Sequence, residues 1–269
     1  MVPKQLPSSP TERRSLDVLD YVEPGDTTLY ATDGFGYVDT NNISRGSRRH
    51  YEDNGSAPMD AVPRLATPEE VEVAFRQSEF RLPRELPLTR EFGWVLGFYI
   101  AEGSARRKHV QVSNTDRQHL DRFASFFEQY DTSLSWDEQE RITKLTVCSA
   151  LWSKIVRSLA HSDDEKTIPD EAFEWPRHVI EGLLEGILDG DACRRDERDT
   201  LYTTYEGLAD RVMYLAARLG KQSSVYSRKR EHHIPMSDTD WEGEMWAVDV
   251  SGERHKRGQY VPIPSALLR

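Results

Sequence analysis

Cysteine is nearly absent: Cys148 and Cys193 are the only two in 269 residues. With neither CxxC spacing nor a disulfide framework, they exclude a cysteine-based metal site and predict a reducing, intracellular setting. Long hydrophobic runs are also missing. The longest, Phe92 to Ala101, stops at Glu102 and is too short to cross a bilayer, so no membrane partner is expected. The opening MVPKQLPSSPTERRS has no apolar core, and no secretory signal is expected from it. Lysine is scarce, 8 of 35 basic residues, while Asp and Glu number 46 and leave a net charge of −11. Bulk charge therefore argues against a nucleic-acid partner. An acidic, lysine-poor surface fits a high-salt cytoplasm such as that of a halophilic archaeon, where screening makes overall charge a poor guide.

The charge that is present is uneven. Basic clusters stand at Arg106-Arg107-Lys108, Arg194-Arg195, Arg228-Lys229-Arg230 and Arg254 to Arg257. Residues 1–15 are rich in Pro and Ser, and from Tyr21 to Ser44 short β-like pieces alternate with turns. Residues 45–58 read as a loop. Thr67-Pro68-Glu69-Glu70 is a capping box with proline at the first helical position, predicting a short helix to about Gln77. The stretch 80-FRLPRELPL-88 reads as a stiff linker. A boundary there separates an N-terminal region, residues 1–85, from the remainder, residues 86–269.

That remainder repeats itself. A shift of 89 places Gly97 on Gly186, Ala101 on Gly190, Glu102 on Asp191, Arg106 on Arg195 and Asp121-Arg122 on Asp210-Arg211. The repeats cover about 89–175 and 176–269, with about six extra residues in the second copy, in a 228–244 hairpin. Each copy reads as an apolar helix ending in acid, an alternating strand (109-HVQVS-113 and 200-TLYTT-204), an amphipathic helix and two further strands. Copy one adds a helix near 150–160.

Gly97 and Ala101 are four apart, as are Gly182, Gly186 and Gly190, so each first helix carries a stripe with almost no side chain. Each glycine costs roughly 1 kcal/mol relative to alanine; close packing of the two backbones is the reason to accept it. If the stripes face each other, Glu102 and Asp191 meet at one end. Two carboxylates at two helix C-termini are disfavoured by the dipoles and by each other, unless a divalent cation reverses the sign. Few hard oxygen ligands, without His or Cys, suit Mg²⁺ (or Mn²⁺) with retained waters and phosphate oxygens, the setting of phosphodiester hydrolysis.

These residues resemble the LAGLIDADG homing endonucleases. VLGFYIAEG (95–103) looks like the first signature and LEGILDGDA (184–192) like the second, in the form common within inteins; SNTD (113–116) and KTIPDEAF (166–173) add to the likeness. The resemblance implies an α+β fold, a duplicated αββαββα unit with pseudo-twofold symmetry whose antiparallel sheets form a saddle over DNA, beside a small N-terminal β-rich region. It implies that Glu102 and Asp191 are metal-binding catalytic acids, each serving one strand, that Lys166 assists them electrostatically, with Lys256 as its counterpart, and that Asp189 is secondary. Gly97, Ala101, Gly186 and Gly190 would be the packing residues.

On the saddle, Val110 and Val112 pack inward, leaving His109, Gln111 and Ser113 toward the major groove. Arg106, Arg107, Lys108, Arg194, Arg195, Arg228, Lys229, Arg230, Lys256 and Arg257 are expected on phosphates or bases. The chain has neither the initial Cys or Ser nor the final His-Asn of an intein, so protein splicing is not expected; 24-PGDTTLYATDGFGYV-38 weakly echoes a first splicing block. The resemblance implies a monomeric, metal-dependent, site-specific endonuclease of double-stranded DNA, with a long target and a staggered break. The alternative is a non-cleaving binder on the same scaffold, an RNA maturase or regulator; such relatives often lose one acid, and both are kept here.

Overall fold

In the computed structural model, residues 13–39, 41–139, 142–162, 165–195, 198–234 and 239–251 are described, with side chains for all of these except 195, 230–234 and 239–242. Strands β1 (Ser15–Asp17), β2 (Thr27–Tyr30) and β3 (Gly36–Tyr37) come first, followed by helix α1 (Arg45–Asn54). Then come β4 (Ser56–Pro58), β5 (Leu65–Ala66), β6 (Glu72–Phe75), β7 (Leu82–Pro83) and β8 (Glu85–Pro87). They make a four-stranded sheet, β4-β2-β6-β7, and the pairs β1–β8 and β3–β5.

Three expectations fail in this region, each for a local reason. The capping box at Thr67 starts no helix: Val71, Val73 and Ala74 are buried, and Val73 pairs with Leu29 in β6. Valine prefers a pleated, half-buried surface, and that packing outweighs the capping signal. The supposed loop at 45–58 contains α1 instead. Ser44 accepts from the Ser47 amide at its start, and Gly55 ends it at φ 56°, where a Cβ would meet the Ala31 carbonyl oxygen. The supposed linker is packed: Leu82, Leu86 and Leu88 are buried.

The remainder follows the duplicated plan. The first copy comprises α2 (Arg90–Glu102), β9 (Gly103–Arg106), β10 (His109–Asn114), α3 (Arg117–Glu128), β11 (Leu134–Glu138), β12 (Thr143–Val147) and α4 (Ala150–Ala160). A small hairpin, β13 (His161–Ser162) and β14 (Glu165–Lys166), leads into the second copy. That copy comprises α5 (Arg177–Asp191), β15 (Ala192–Arg195), β16 (Arg198–Thr203), α6 (Glu206–Arg218), β17 (Gln222–Ile234) and β18 (Thr239–Ser251). The sheets run β11-β12-β10-β9 and β17-β18-β16-β15, antiparallel throughout and in the same order. The αββαββα plan is complete in the first copy; the end of the second, including 263-IPSALL-268, lies outside the described residues. No described helix is long and apolar enough to cross a membrane.

Helices α2 and α5 pack backbone to backbone along their glycine stripes. A Cβ on Gly97 would collide with the Leu183 carbonyl oxygen, and one on Gly186 with that of Trp94. Gly93 and Gly182 do the same one turn earlier, against Val179 and Arg90. At the far end Gly190 faces Ala101 and the Glu102 side chain. The helices thus cross by exchanging small residues, in the pseudo-twofold relation that the shift of 89 predicts. The approach lets Trp94, Phe98, Leu183 and Ile187 bury completely around it. Each such side chain contributes about 2 kcal/mol, against roughly 1 kcal/mol lost per glycine.

Candidate functional site

Because the stripes are in register, α2 and α5 end together, and Glu102 and Asp191 meet there. Asn114, the last residue of β10, donates from Nδ2 to Glu102 Oε1 at 3.1 Å, while its own Oδ1 accepts from the Asp116 amide at 2.7 Å. Lys166 enters from β14 and donates from Nζ to the Ala101 carbonyl at 3.1 Å. A hollow of about 280 Å³ opens beside Lys166 and Asp191, bounded by Ile100, Ile187, Leu201 and Leu208. A larger hollow, about 800 Å³, lies in the N-terminal region among Asp33, Glu52, Asp53, Glu69 and Glu70. Arg81 and Arg84 line it as well, and neither Glu102 nor Asp191 does.

The charges of the acid pair are held under stress. Burial pushes the Glu102 carboxyl up to about 7, and the Asp191 charge adds to that, with Lys166 and Asn114 opposing. Asp191 lies at the rim, open on one side and enclosed on the others, and burial raises it to about 6 against the pull of Lys166. Burial also lowers the Lys166 ammonium, with both acids opposing. Partial burial thus disfavours the charged forms of Glu102 and Lys166, and Asp191 beside them is more open to solvent. A divalent cation supplies what the carboxylates lack. Among the described residues no three His, Cys, Asp or Glu gather to hold a metal by themselves. The oxygens of Glu102 and Asp191 fit an ion that keeps waters or takes phosphate oxygens as its remaining ligands.

Asp189, two residues before Asp191, is committed elsewhere. It accepts from Trp94 Nε1 at 2.8 Å, pairs with Arg194, and lies 3.9 Å from Arg122. Arg122 in turn pairs with Glu91 and Glu185 and stacks 4.1 Å over the Trp94 ring. Asp189 therefore cross-links α5, α2, α3 and β15.

The cross-strand register sorts the other expected residues by face. Val110 and Val112 are fully buried, and His109, Gln111 and Ser113 take the outer face. Gln111 donates to Thr146 at 3.3 Å, Ser113 pairs with Lys144, and His109 pairs with Arg106. Arg107 and Lys108 form the exposed turn between β9 and β10. Arg228 is exposed on the outer face of β17, 5.1 Å from the Tyr226 ring centre. Two of the expected residues lie off the outer face. Arg194 pairs across from Asp199, on the inner parity of its strand, and bonds Asp189 instead of lying on the outer face. Lys229 lies on the strand face opposite Arg228, across from Glu244. The side chains of Arg195 and Arg230, and Lys256 and Arg257 altogether, lie outside the described residues. Missed from sequence were Arg198, Thr200 and Tyr202, which take the outer face of β16. Their signal was available, since the shift of 89 lays them on His109, Gln111 and Ser113. Thr200 donates to Asp249 at 2.6 Å and Arg198 to the same carboxylate at 3.1 Å. Asn114 was missed as well, within SNTD.

Paired glycine helices on a pseudo-twofold axis, acids at their joined ends and twin antiparallel sheets with polar outer faces settle the architecture. The fold is of the LAGLIDADG type. No family model matches the chain. Among solved structures, the LAGLIDADG fold found here is similar to that of the homing endonuclease I-DmoI in complex with DNA and Ca. That likeness has 10% identity and a TM-score of 0.45, over 61% of this chain and 84% of that one. It is also similar to the N-terminal LAGLIDADG domain of WhiA, with 12% identity and a TM-score of 0.37, over 58% and 74%. Among curated proteins, the chain is 26% identical over 146 residues to Rpo1C, a component of the DNA-directed RNA polymerase of Methanocaldococcus jannaschii. It is 28% identical over 155 residues to a component of the A-type ATP synthase of Methanopyrus kandleri. The helicase Hel308 of Thermococcus kodakarensis is 29% identical over 191 residues. These matches cover 51%, 56% and 65% of this chain but only 17%, 15% and 16% of the relatives' own length.

Proposed function

We propose that this chain is a site-specific endonuclease of double-stranded DNA, making a metal-dependent staggered break by phosphodiester hydrolysis. The observation that carries the reading is the meeting of Glu102 and Asp191 at the ends of twin helices, with Lys166 beside them. A bound Mg²⁺ (or Mn²⁺) would be held by Glu102 and Asp191 and would supply Lewis-acid polarisation of a phosphoryl oxygen and a more acidic water. Lys166 offers its ammonium to the charge that develops on the phosphate. Asn114 holds the Glu102 carboxylate in one orientation. The outer faces carry the polar side chains that base edges require, His109, Gln111 and Ser113 in one sheet and Arg198 and Tyr202 in the other. Arg106, Arg107 and Lys108 give phosphates a local positive rim despite the overall charge.

The curated relatives support an origin as an inserted element, of the intein kind. A polymerase component, an ATP synthase component and a helicase share no activity by name, yet each carries a similar stretch over about a sixth of its length. A segment that recurs inside unrelated proteins behaves as an insertion.

The test is a supercoiled plasmid bearing the uninterrupted insertion site. With Mg²⁺ it should be linearised, and Glu102→Gln with Asp191→Asn should stop this. Cleavage by the double variant would refute the assignment. Tight binding to RNA or DNA without cleavage by the wild type would favour the non-cleaving alternative.

A further inference from the structure

Tyr99 is fully buried in α2, and neither the acids nor the saddle uses it. Its hydroxyl lies 2.8 Å from His161 Nε2. His161 opens β13 and pairs in register with Lys166 on β14. The Lys166 ammonium stands 6.0 Å from the centre of the Tyr99 ring. The ring also lies against Gly103, where a Cβ would run into the ring carbons. One aromatic side chain therefore backs both the start of β9, next to Glu102, and the hairpin that carries Lys166. The second copy has no such plate: the shift of 89 puts Leu188 in the place of Tyr99 and Ala192 in that of Gly103.

We propose that Tyr99 and His161 are positioning residues that hold Lys166 against the acid pair, an inference that rests on reading Glu102, Asp191 and Lys166 as the cleavage centre. A free lysine side chain loses rotamer freedom when it is fixed. Fixing it before substrate arrives removes that cost from the chemical step. A two-residue strand pair such as β13–β14 is too short to be stable alone, so its geometry is set by what anchors it. The Tyr99–His161 hydrogen bond is one such anchor, beside the Thr167 amide on the Ala160 carbonyl at 2.9 Å. The hydroxyl is buried under the site, which suits an indirect role and excludes contact with substrate.

Tyr99→Phe keeps the ring and drops the hydroxyl; His161→Ala drops the partner; His161→Gln keeps one. The first readout needs neither metal nor DNA: the rate at which an amine-reactive ester acylates Lys166, followed by mass spectrometry. The second is single-turnover plasmid cleavage with Mg²⁺, beside DNA affinity in Ca²⁺. Tyr99→Phe and His161→Ala should speed acylation of Lys166 several-fold. They should slow cleavage on the order of tenfold, as loss of an outer support of a site does, with DNA affinity unchanged. His161→Gln should stay near wild type, and Tyr99→Phe should add nothing to Lys166→Met. Unchanged acylation in both Tyr99→Phe and His161→Ala would overturn the proposal, as would a further slowing of Lys166→Met by Tyr99→Phe. If the wild type cleaves no DNA, the functional reading fails while acylation still decides the anchor. Should Tyr99→Phe unfold, the two half-buried His161 variants carry the test.

Discussion

At the residue scale, Glu102 and Asp191 are the strained pair, and their strain has a sign. A carboxyl whose folded pKa is raised binds more protons folded than unfolded, so its contribution favours the fold at low pH and is lost as pH rises. For Glu102 that loss runs from its ordinary 4.5 to about 7. Glu102→Gln removes the charge and should therefore stabilise the metal-free protein at pH 8 and change little at pH 4. Allowing for solvent on the open side of the site, the gain is about 1 kcal/mol, or about 2–4 °C in thermal melting. Equal melting temperatures at pH 8 would contradict it. Mg²⁺ should raise the melting temperature of the wild type and not of the Glu102→Gln, Asp191→Asn double variant. The sequence read Asp191 more clearly than Asp189, for a geometric reason. Two residues along a helix turn the side chain by about 200°, so Asp191 turns to Glu102 while Asp189 turns to Trp94 and Arg122. Linear spacing could not name those partners. Arg194 likewise turns to Asp189 and Asp199, partners that linear spacing does not name.

At the scale of elements, the twin helices were legible because the glycine period and the 89-residue shift are independent signals that agree. Where one weak signal stood alone, the reading failed: a capping box at Thr67 lost to Val71 and Val73 in a sheet. Strand β9, GSAR, is too short and polar to announce itself, and only pairing with β10 defines it. The close approach of α2 and α5 gives a direct test. Gly97→Ala and Gly186→Ala each set a Cβ against a carbonyl of the partner helix, so the helices must part. Overpacking of this kind costs about 1–3 kcal/mol, despite the better helix propensity of alanine. Gly207 in α6 has open space around it, and Gly207→Ala should stabilise by about 0.4–1 kcal/mol. Urea midpoints of the three variants would check this; a stabilised Gly97→Ala would show that the stripe is not a packing device.

At the scale of the whole molecule, the sequence placed a linker between two regions, whereas the structure ties them together. Arg13 donates to Glu171 Oε2 at 2.7 Å and the Tyr21 hydroxyl to Oε1 at 2.5 Å. Lys154 approaches Glu23 at 3.4 Å. These residues are more than a hundred positions apart in several cases, which is why no local pattern reports them. Glu171 is the centre of the tie, with a side chain only 24% exposed. Burial drives the Tyr21 phenol upward, and its hydrogen bond to the Glu171 carboxylate adds to that. If the tie couples the regions, the chain melts as one unit, and Glu171→Ala leaves the Tyr21 hydroxyl without its acceptor and Arg13 with Asp20 and the Ser15 carbonyl alone. Removing one member of a buried, charge-assisted bond costs about 1–3 kcal/mol. The variant should melt earlier in calorimetry, with the N-terminal region separating as a shoulder before the main transition. Cleavage below that shoulder should be unchanged, because Glu171 lies in the segment between Lys166 and α5 and touches neither acid. A single sharp transition at the wild-type temperature would show that the two regions fold without this contact.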